Sequence, residues 1–208
     1  MTYFNIDEIH NLNHLYKINL INSCAGFKSA NLIATKSAEN NTNVAIFSSV
    51  IHLGSAPPLL GFILRPTSVP RNTYENIMET GYYTINHIHF PILEDAHHTS
   101  AKYDVQISEF DKTNLISEYK NEFKAPFVKG TPLQLAMEYV EEYIIKANDT
   151  ILVIGKIIGL HLNDDLIEDD GFINLSKAKV AAINGLAGYA IPELNNRIDY
   201  QRPKLYTN

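Results

Sequence analysis

The chain has 208 residues but only one cysteine, Cys24, and no tryptophan. A single cysteine excludes an internal disulfide. A free cysteine most often serves as a small buried hydrophobe, and we predict that role for Cys24 rather than that of a nucleophile. The length suffices for one sizeable domain with its own core and is too short for two, so we expect a single domain over residues 1–208.

Basic runs and long apolar runs are also missing. The formal net charge is −6 and no Lys/Arg-rich segment is present, which argues against sequence-independent binding to nucleic acid. No apolar segment approaches the ~18 residues of a membrane span. The first ten residues carry acidic side chains and lack a basic-then-apolar signal pattern. Together these features predict a soluble cytoplasmic protein that binds neither nucleic acid nor a membrane.

The common catalytic and metal-binding motifs are absent as well. The chain has no GxGxxG, no Walker A loop, no nucleophile elbow and no HExxH. His97 and His98 are adjacent, and adjacent histidines point apart on a helix, so we predict no metal site. We identify no catalytic acid, base or nucleophile. In an enzyme of this kind a cofactor can supply the chemistry.

Strand patterns account for much of what is present. Residues 30–35 and 43–50 flank the polar stretch SAENNT and predict a β-hairpin. Further strands are predicted over residues 59–64, 82–88, 133–143 and 151–162, the last of them curved at Gly155 or Gly159. Because six or more strands occur without regular βαβ alternation, the sequence predicts a mainly β fold, either a barrel or a sandwich.

Helix signals are fewer. Asn72, followed three residues later by Glu75, predicts a capped helix start, and Gly81 predicts a left-handed helix stop. Residues 93–102 and 108–115 are further candidates for short helices.

Two serines and a proline pair mark a candidate binding segment within residues 43–80. Ser48 and Ser49 follow an apolar strand, and their hydroxyls and backbone N–H groups could donate to carbonyl or phosphate oxygens. A strand end that simply turns polar explains them equally well. The following Ser-Ala-Pro-Pro stretch imposes an extended connection and leaves backbone groups free to face a ligand.

Two arginines lie just before the predicted helix. Arg65 and Arg71 bracket a loop that leads to Thr73, and a helix start offers unpaired N–H groups and a partial positive charge. This combination predicts a monophosphate or diphosphate site. A pair of solvated surface arginines is the alternative.

Two other segments could contact the same ligand. His97-His98-Thr99-Ser100-Ala101-Lys102-Tyr103 is rich in hydroxyls and contains a lysine, which suits polar contacts to the edge of a ring; a solvated helix surface is the alternative. Residues 185–189, GLAGY, place glycines beside an aromatic residue, so the backbone could approach a flat molecule closely. Taken alone, that segment is better explained as a plain loop with a core tyrosine.

Residues 43–86 resemble the flavin reductase-like family with an FMN-binding split barrel. The family pattern is an Asn-led strand ending in Ser/Thr pairs, a Ser-x-x-Pro-Pro-Leu turn, a Thr-x-x-Asn-Ile helix and a Gly-aromatic-x-x-Asn strand. The matching positions are Asn43, Ser48 and Ser49, residues 55–59, residues 73–77 and residues 81–86. HHTSAKY followed by SEF, the strand ILVIGKI, the late GLxxY and Arg202-Pro203 extend the resemblance over about residues 20–204.

The resemblance implies a split β-barrel, an FMN cofactor and a homodimer with flavin near the subunit interface. Carried over residue by residue, the implied cofactor contacts are Asn43, Phe47, Ser48, Ser49, Val50, Ile51, His52, Arg65, Arg71, Thr73, His98, Thr99, Ser100, Ala101 and Lys102.

The resemblance also implies an activity. We expect an FMN-dependent oxidoreductase, a flavin reductase that transfers hydride from NAD(P)H to flavin for an unknown acceptor. Many family members carry Gly-Asp-His before the long late strand, with the histidine near the nicotinamide, whereas this chain has Asn148-Asp149-Thr150. A non-enzymatic FMN-binding electron carrier on the same barrel, and a barrel that binds another phosphate-bearing ligand, are the alternatives.

Overall fold

The computed structural model describes residues 1–203 and begins with two helices that the sequence patterns did not predict. Helix α1 (Ile6–Asn11) starts with a capping box, in which Asn5 Oδ1 accepts from the Glu8 N–H at 2.9 Å and Glu8 accepts from the Asn5 N–H at 2.7 Å. Helix α2 (His14–Cys24) follows directly. Neither helix contains a buried residue. Within the described residues no helix is long and apolar enough to cross a membrane.

The rest of the described chain is built mainly from β-strands. The strands are β1 (Phe27–Ser29), β2 (Asn31–Lys36), β3 (Thr42–Phe47), β4 (Ile51–Ser55), β5 (Pro58–Leu64), β6 (Tyr82–His87), β7 (Ser117–Glu118), β8 (Phe127–Val128), β9 (Leu133–Ile145), β10 (Thr150–Leu162), β11 (Ala182–Asn184) and β12 (Gly188–Ala190). Seven of them form an antiparallel sheet in the order β3-β2-β6-β9-β10-β5-β4. Strands β1, β11 and β12 form a second sheet, and β7 pairs with β8. The predicted mainly β fold with a few short helices is confirmed.

The predicted strands all occur. In the β2–β3 hairpin Asn31 pairs with Phe47 and Lys36 with Thr42, so the second strand ends three residues earlier than expected. The β9–β10 pair shifts register at Ile154/Gly155 and again at Ile157/Gly159. Because a β-bulge bends a strand, the predicted curvature of β10 at Gly155 or Gly159 is confirmed, and it occurs at both glycines.

Ser49, just after the end of β3, is hydrogen-bonded to β5, although β3 and β5 are not neighbours in the seven-stranded sheet. Its Oγ donates to the Ile63 carbonyl and accepts from the Ile63 N–H, both at 3.0 Å. The interior beside this link is apolar. Phe47 packs edge-on against Phe62 with ring centroids 5.1 Å apart, and Phe62 packs against Tyr83 at 5.7 Å.

Helix α3 (Asn72–Thr80) confirms the predicted helix but not its predicted cap. Arg71, not Asn72, is the N-cap, and its side chain makes no capping hydrogen bond. Glu75 accepts from the Arg71 N–H at 3.3 Å, four residues away and not the three residues of the predicted capping box. Gly81 ends the helix as predicted, with φ 75° and its N–H donating to the Ile77 carbonyl at 2.8 Å.

The remaining local predictions have mixed outcomes. Helix α4 covers only Leu93–His98, and within residues 108–115 there is a single 3₁₀ turn, Glu109–Lys112. Residues 185–187 form the turn between β11 and β12. The prediction that Cys24 is buried is wrong: it lies exposed at the end of α2, where its Sγ is 3.1 Å from the Ile21 carbonyl.

Candidate functional site

Three separate parts of the chain meet at the start of α3. The Asn43 amide lies 3.0 Å from the Thr73 hydroxyl, and when its oxygen accepts from Thr73 its nitrogen donates to Glu109 at 3.3 Å. Glu109 Oε2 also accepts from the Val44 N–H at 3.1 Å. Asn43 and Thr73 are 5% exposed and Glu109 is 8% exposed, so this network is internal. Two predicted cofactor residues, Asn43 and Thr73, thus have side chains that hold α3 against β3.

Burial raises the pKa of Glu109, and its hydrogen bonds with backbone N–H groups partly oppose that rise. Sequence reasoning missed Glu109 as part of this site, although its SEF motif belongs to the resemblance. No local signal singles out Glu109, because it stands between Ser108 and Phe110 in a stretch that also contains Asp111 and Lys112.

The start of α3 is also a candidate anion site. The Arg71 side chain makes no capping hydrogen bond. Within the described residues, no side chain accepts a hydrogen bond from the first-turn N–H groups of α3. The Arg71 Nε is buried and has no hydrogen-bond partner within residues 1–203. Arg65, at the end of β5, is exposed. A partial positive charge, unpaired N–H groups and a guanidinium with free bonding capacity fit a phosphate group.

The segment after α4 reaches this anion site. Asn72 Nδ2 donates to the Val105 carbonyl at 3.3 Å, which ties the loop to the first residue of α3. Within the loop, Thr99 Oγ1 and Ser100 Oγ donate to the carbonyls of Ala96 and His97, both at 2.7 Å.

These hydrogen bonds close the end of α4, so the two hydroxyls already have internal partners. Thr99 is buried, whereas Ser100, Ala101 and Lys102 are exposed and accessible. The two histidines have different tyrosine partners: His98 lies 2.6 Å from Tyr103 and His97 2.9 Å from Tyr189. No metal-binding group of three His, Cys, Asp or Glu side chains occurs in residues 1–203.

The segment Phe47–His52 lies at the other end of β3. The Ser49 hydroxyl is bound to Ile63, so the irregular backbone around it is what remains available to a ligand. The Val50 carbonyl accepts from Ser29 Oγ at 3.3 Å. Ser48 and Val50 are half-buried, whereas Ile51 and His52 are exposed, with the His52 ring 3.3 Å from Ser55 Oγ.

Apart from Arg65, the predicted residues thus form two groups along one strand. Asn43, Arg71, Thr73 and the loop after α4 lie at one end of β3, and Phe47–His52 lie at the other. Five residues of extended chain separate Asn43 from Ser48, which corresponds to about 17 Å. A ligand that contacts both groups must therefore be elongated, with an anionic end at α3 and its other end beside residues 48–52. A flavin mononucleotide has this form.

A family model for the flavin reductase like domain matches residues 26–179. The chain belongs to the flavin reductase-like family. A split barrel domain protein from Shewanella frigidimarina, assigned to the flavin reductases, is 45% identical with a TM-score of 0.93, over 97% of this chain and 100% of that one. The split-barrel fold is thereby confirmed.

Two other proteins are more distant. An uncharacterized protein from Methanothermobacter thermautotrophicus is 28% identical over 70% of this chain and 69% of its own length. An FMN-binding protein from Thermus thermophilus is 15% identical with a TM-score of 0.70, over 85% of this chain and 93% of that one. At this identity the second comparison shows the shared fold alone.

The turn before β10 differs from the pattern expected for flavin reductases. Asn148 Oδ1 accepts from the Thr150 N–H at 3.3 Å and from the Thr150 hydroxyl at 2.7 Å, and Asp149 has φ 56°. The turn is therefore closed by its own side chains, and no histidine stands in it.

Proposed function

We propose that this flavin reductase-like protein is an FMN-dependent oxidoreductase that transfers hydride from NAD(P)H to flavin. The observation that carries the proposal is the pairing of an anion site at α3 with an open backbone segment about 17 Å away along β3. Family membership supports a flavin as the ligand, and the elongated form of the site supports FMN.

Each end of the site would have a distinct role. Arg71, Arg65 and the first-turn N–H groups of α3 would bind the phosphate. Backbone N–H groups around Ser49 would orient the ring and stabilise negative charge at its edge, whereas the ammonium of Lys102, in the loop beside α3, would contact the phosphate end of the ligand. The flavin itself, when bound, supplies the chemistry of hydride acceptance. Neither Asn43 nor Thr73 needs to touch the cofactor, because both position the helix that does.

FMN titration of the purified chain tests this proposal. The protein should bind FMN and show a flavin absorption spectrum. Arg71→Ala should weaken FMN binding about 10- to 100-fold, the loss expected for a charge-assisted phosphate contact. Arg202→Ala, which also removes an exposed arginine, should leave affinity unchanged. A protein that is colourless after FMN is added and the unbound FMN is removed by gel filtration would refute the proposal.

An FMN-binding electron carrier is the second candidate. The turn at residues 148–150 favours it, because a histidine near the nicotinamide is lacking there. Steady-state oxidation of NADH and NADPH separates the two functions. Rapid turnover with FMN supports the reductase, and tight FMN binding with slow oxidation supports the carrier.

We also propose that the protein functions as a homodimer in the cytoplasm. The N-terminal helices support the dimer, because they bury no residue in the single chain while Ile6, Leu15 and Tyr16 are 62%, 69% and 54% exposed. Sedimentation of the native chain should give twice the monomer mass, and Leu15→Glu should shift it toward the monomer.

The single cysteine is consistent with a reducing compartment, and cell fractionation tests that location.

A further inference from the structure

A chain of hydrogen bonds links the candidate anion site to a buried carboxylate. The 3₁₀ turn that begins at Glu109 is fixed to β3 at two points: Ser108 Oγ lies 3.1 Å from Thr42 Oγ1, and Glu109 Oε2 accepts from the Val44 N–H at 3.1 Å. Glu109 is 8% exposed, and its carboxylate forms no ion pair within residues 1–203. A buried carboxylate without a cationic partner is costly in its charged form.

The Asn43 amide lies between Glu109 and Thr73 and allows two hydrogen-bond arrangements. One end of the amide is 3.3 Å from Glu109 Oε2, and the other is 3.0 Å from Thr73 Oγ1. An ionised Glu109 can only accept, so the Asn43 nitrogen must face it and the Asn43 oxygen accepts from the Thr73 hydroxyl. A protonated Glu109 can donate to the Asn43 oxygen, and the Asn43 nitrogen then donates to Thr73.

The two arrangements differ in what they present to an anion at the start of α3. In the ionised arrangement, a negative charge lies two hydrogen bonds from Thr73, in the first turn of the helix, and repels the anion. In the protonated arrangement that charge is absent and the hydroxyl hydrogen of Thr73 is free. Within residues 1–203 no other atom accepts this hydrogen, whereas an anion at the first turn can accept it. Anion binding therefore favours the protonated arrangement.

No neighbouring charge sets the ionisation of Glu109. Burial raises its pKa and hydrogen bonds with backbone N–H groups oppose that rise, without a contribution from a charged side chain. Strand β3 contains no ionisable residue, and His97 and His98 of α4 are each paired with a tyrosine. The other charged side chains on the segments packed here are Asp111 and Lys112 in the turn, Arg71 and Glu75 at the start of α3, and Glu94 and Asp95 in α4.

We propose that Glu109 is a positioning residue of the anion site: its carboxyl takes up a proton from solvent when an anion binds at the start of α3, and the Asn43 amide turns over between Glu109 and Thr73. The proposal rests on the anion site of the proposed function and not on the identity of the ligand. Because binding and proton uptake are linked, the affinity for an anion should rise as the pH falls.

Binding of sulfate and of FMN to the full chain, from about pH 8 to about pH 5, tests this proposal. Sulfate stays doubly charged over this range, and NMR shifts of the first-turn N–H groups of α3 follow its binding. Glu109→Gln is the decisive variant, because its amide oxygen can accept from Val44 and Asn43 as the ionised carboxylate does, but it takes up no proton.

As the pH falls, the native chain should gain about 3- to 10-fold in affinity relative to Glu109→Gln, for both ligands. Both proteins experience the same titration of the FMN phosphate, so the ratio of their affinities isolates Glu109. Asp111→Asn is the matched control, since it removes an exposed carboxylate of the same turn, and it should match the native chain.

The carboxyl carbon of Glu109 provides a second measurement in the native chain. Sulfate should raise the pKa of Glu109 followed by ¹³C NMR, and this result decides alone if Glu109→Gln does not fold. An affinity ratio that stays constant with pH, or a Glu109 titration that sulfate leaves unchanged, would overturn the proposal. FMN binding with a constant ratio refutes only this proposal, and sulfate binding linked to Glu109 without FMN binding refutes only the proposed function. Binding of neither ligand overturns both.

Discussion

Gly155 is the position where one added methyl group should have the largest effect on the barrel. A Cβ built there would overlap the Tyr83 hydroxyl and would lie 2.9 Å from Tyr83 Cζ and 3.1 Å from the Glu138 carbonyl oxygen. Tyr83 cannot move aside easily, because it is fully buried and packs against Phe62. Gly155 does not have a positive φ, so the expected cost of Gly155→Ala arises from packing and not from backbone strain.

The magnitude follows from the overlap. Overpacking a rigid core typically lowers the free energy of unfolding by about 1–3 kcal/mol. Because the added Cβ meets both a ring and a carbonyl oxygen, we expect Gly155→Ala to lower it by about 3 kcal/mol. For a protein of this length that corresponds to a fall in Tm of roughly 6–12 °C. Urea and thermal denaturation followed by circular dichroism measure both quantities.

Two further variants make the test sharp. Tyr83→Phe alone should cost little, since the buried hydroxyl has no partner in the described chain. Added to Gly155→Ala it should restore about 1 kcal/mol or more, because the overlapping hydroxyl is gone while the Cζ contact remains. Gly159→Ala at the second bulge is the matched control, with its nearest contact at 3.3 Å to Ala136 Cβ. A Gly155→Ala protein as stable as the native chain, or no rescue by Tyr83→Phe, would refute the reasoning.

Three other predictions concern stability. Ser49→Ala should cost about 2 kcal/mol in urea denaturation, because it leaves both backbone groups of Ile63 without their partner. Gly81→Ala should cost about 1 kcal/mol, since φ 75° is unfavourable for alanine. The pKa of His87 falls from 6.5 to about 4 on folding, because burial disfavours its charged form. The free energy of unfolding is therefore highest above pH 6.5 and decreases as the pH falls toward 4. Between pH 6.5 and pH 4, the free energy of unfolding of His87→Gln should therefore fall by up to roughly 3 kcal/mol less than that of the native chain. An equal dependence of the unfolding free energy on pH in the two proteins would contradict this.

Local signals explain why much of the fold could be predicted. The alternation along residues 133–143 and the apolar run at residues 59–64 identify strands without reference to partners. Glycines marked both bulges in β10 and the end of α3. The Asn5–Glu8 capping box was also readable, but α1 and α2 have no apolar face that packs on the barrel, so periodicity did not reveal them.

The candidate site was predicted in part. Arg71 and the helix start at residue 72 were identified from neighbours in the sequence. The internal contacts of Asn43, Ser49 and Thr73 could not be predicted, because their hydrogen-bond partners lie 14 to 30 residues away along the chain.

The sequence by itself determined the longer strands, the arginine and helix start that form the candidate anion site, the absence of common catalytic motifs and, through the resemblance, the family. Each of these depends on residue type and on spacing over a few residues. The tertiary structure decided which hydroxyls are free, where Glu109 goes, and that the Asn43 amide lies between Glu109 and Thr73. Those properties depend on which distant strands meet, and residue order alone does not specify that for any single side chain.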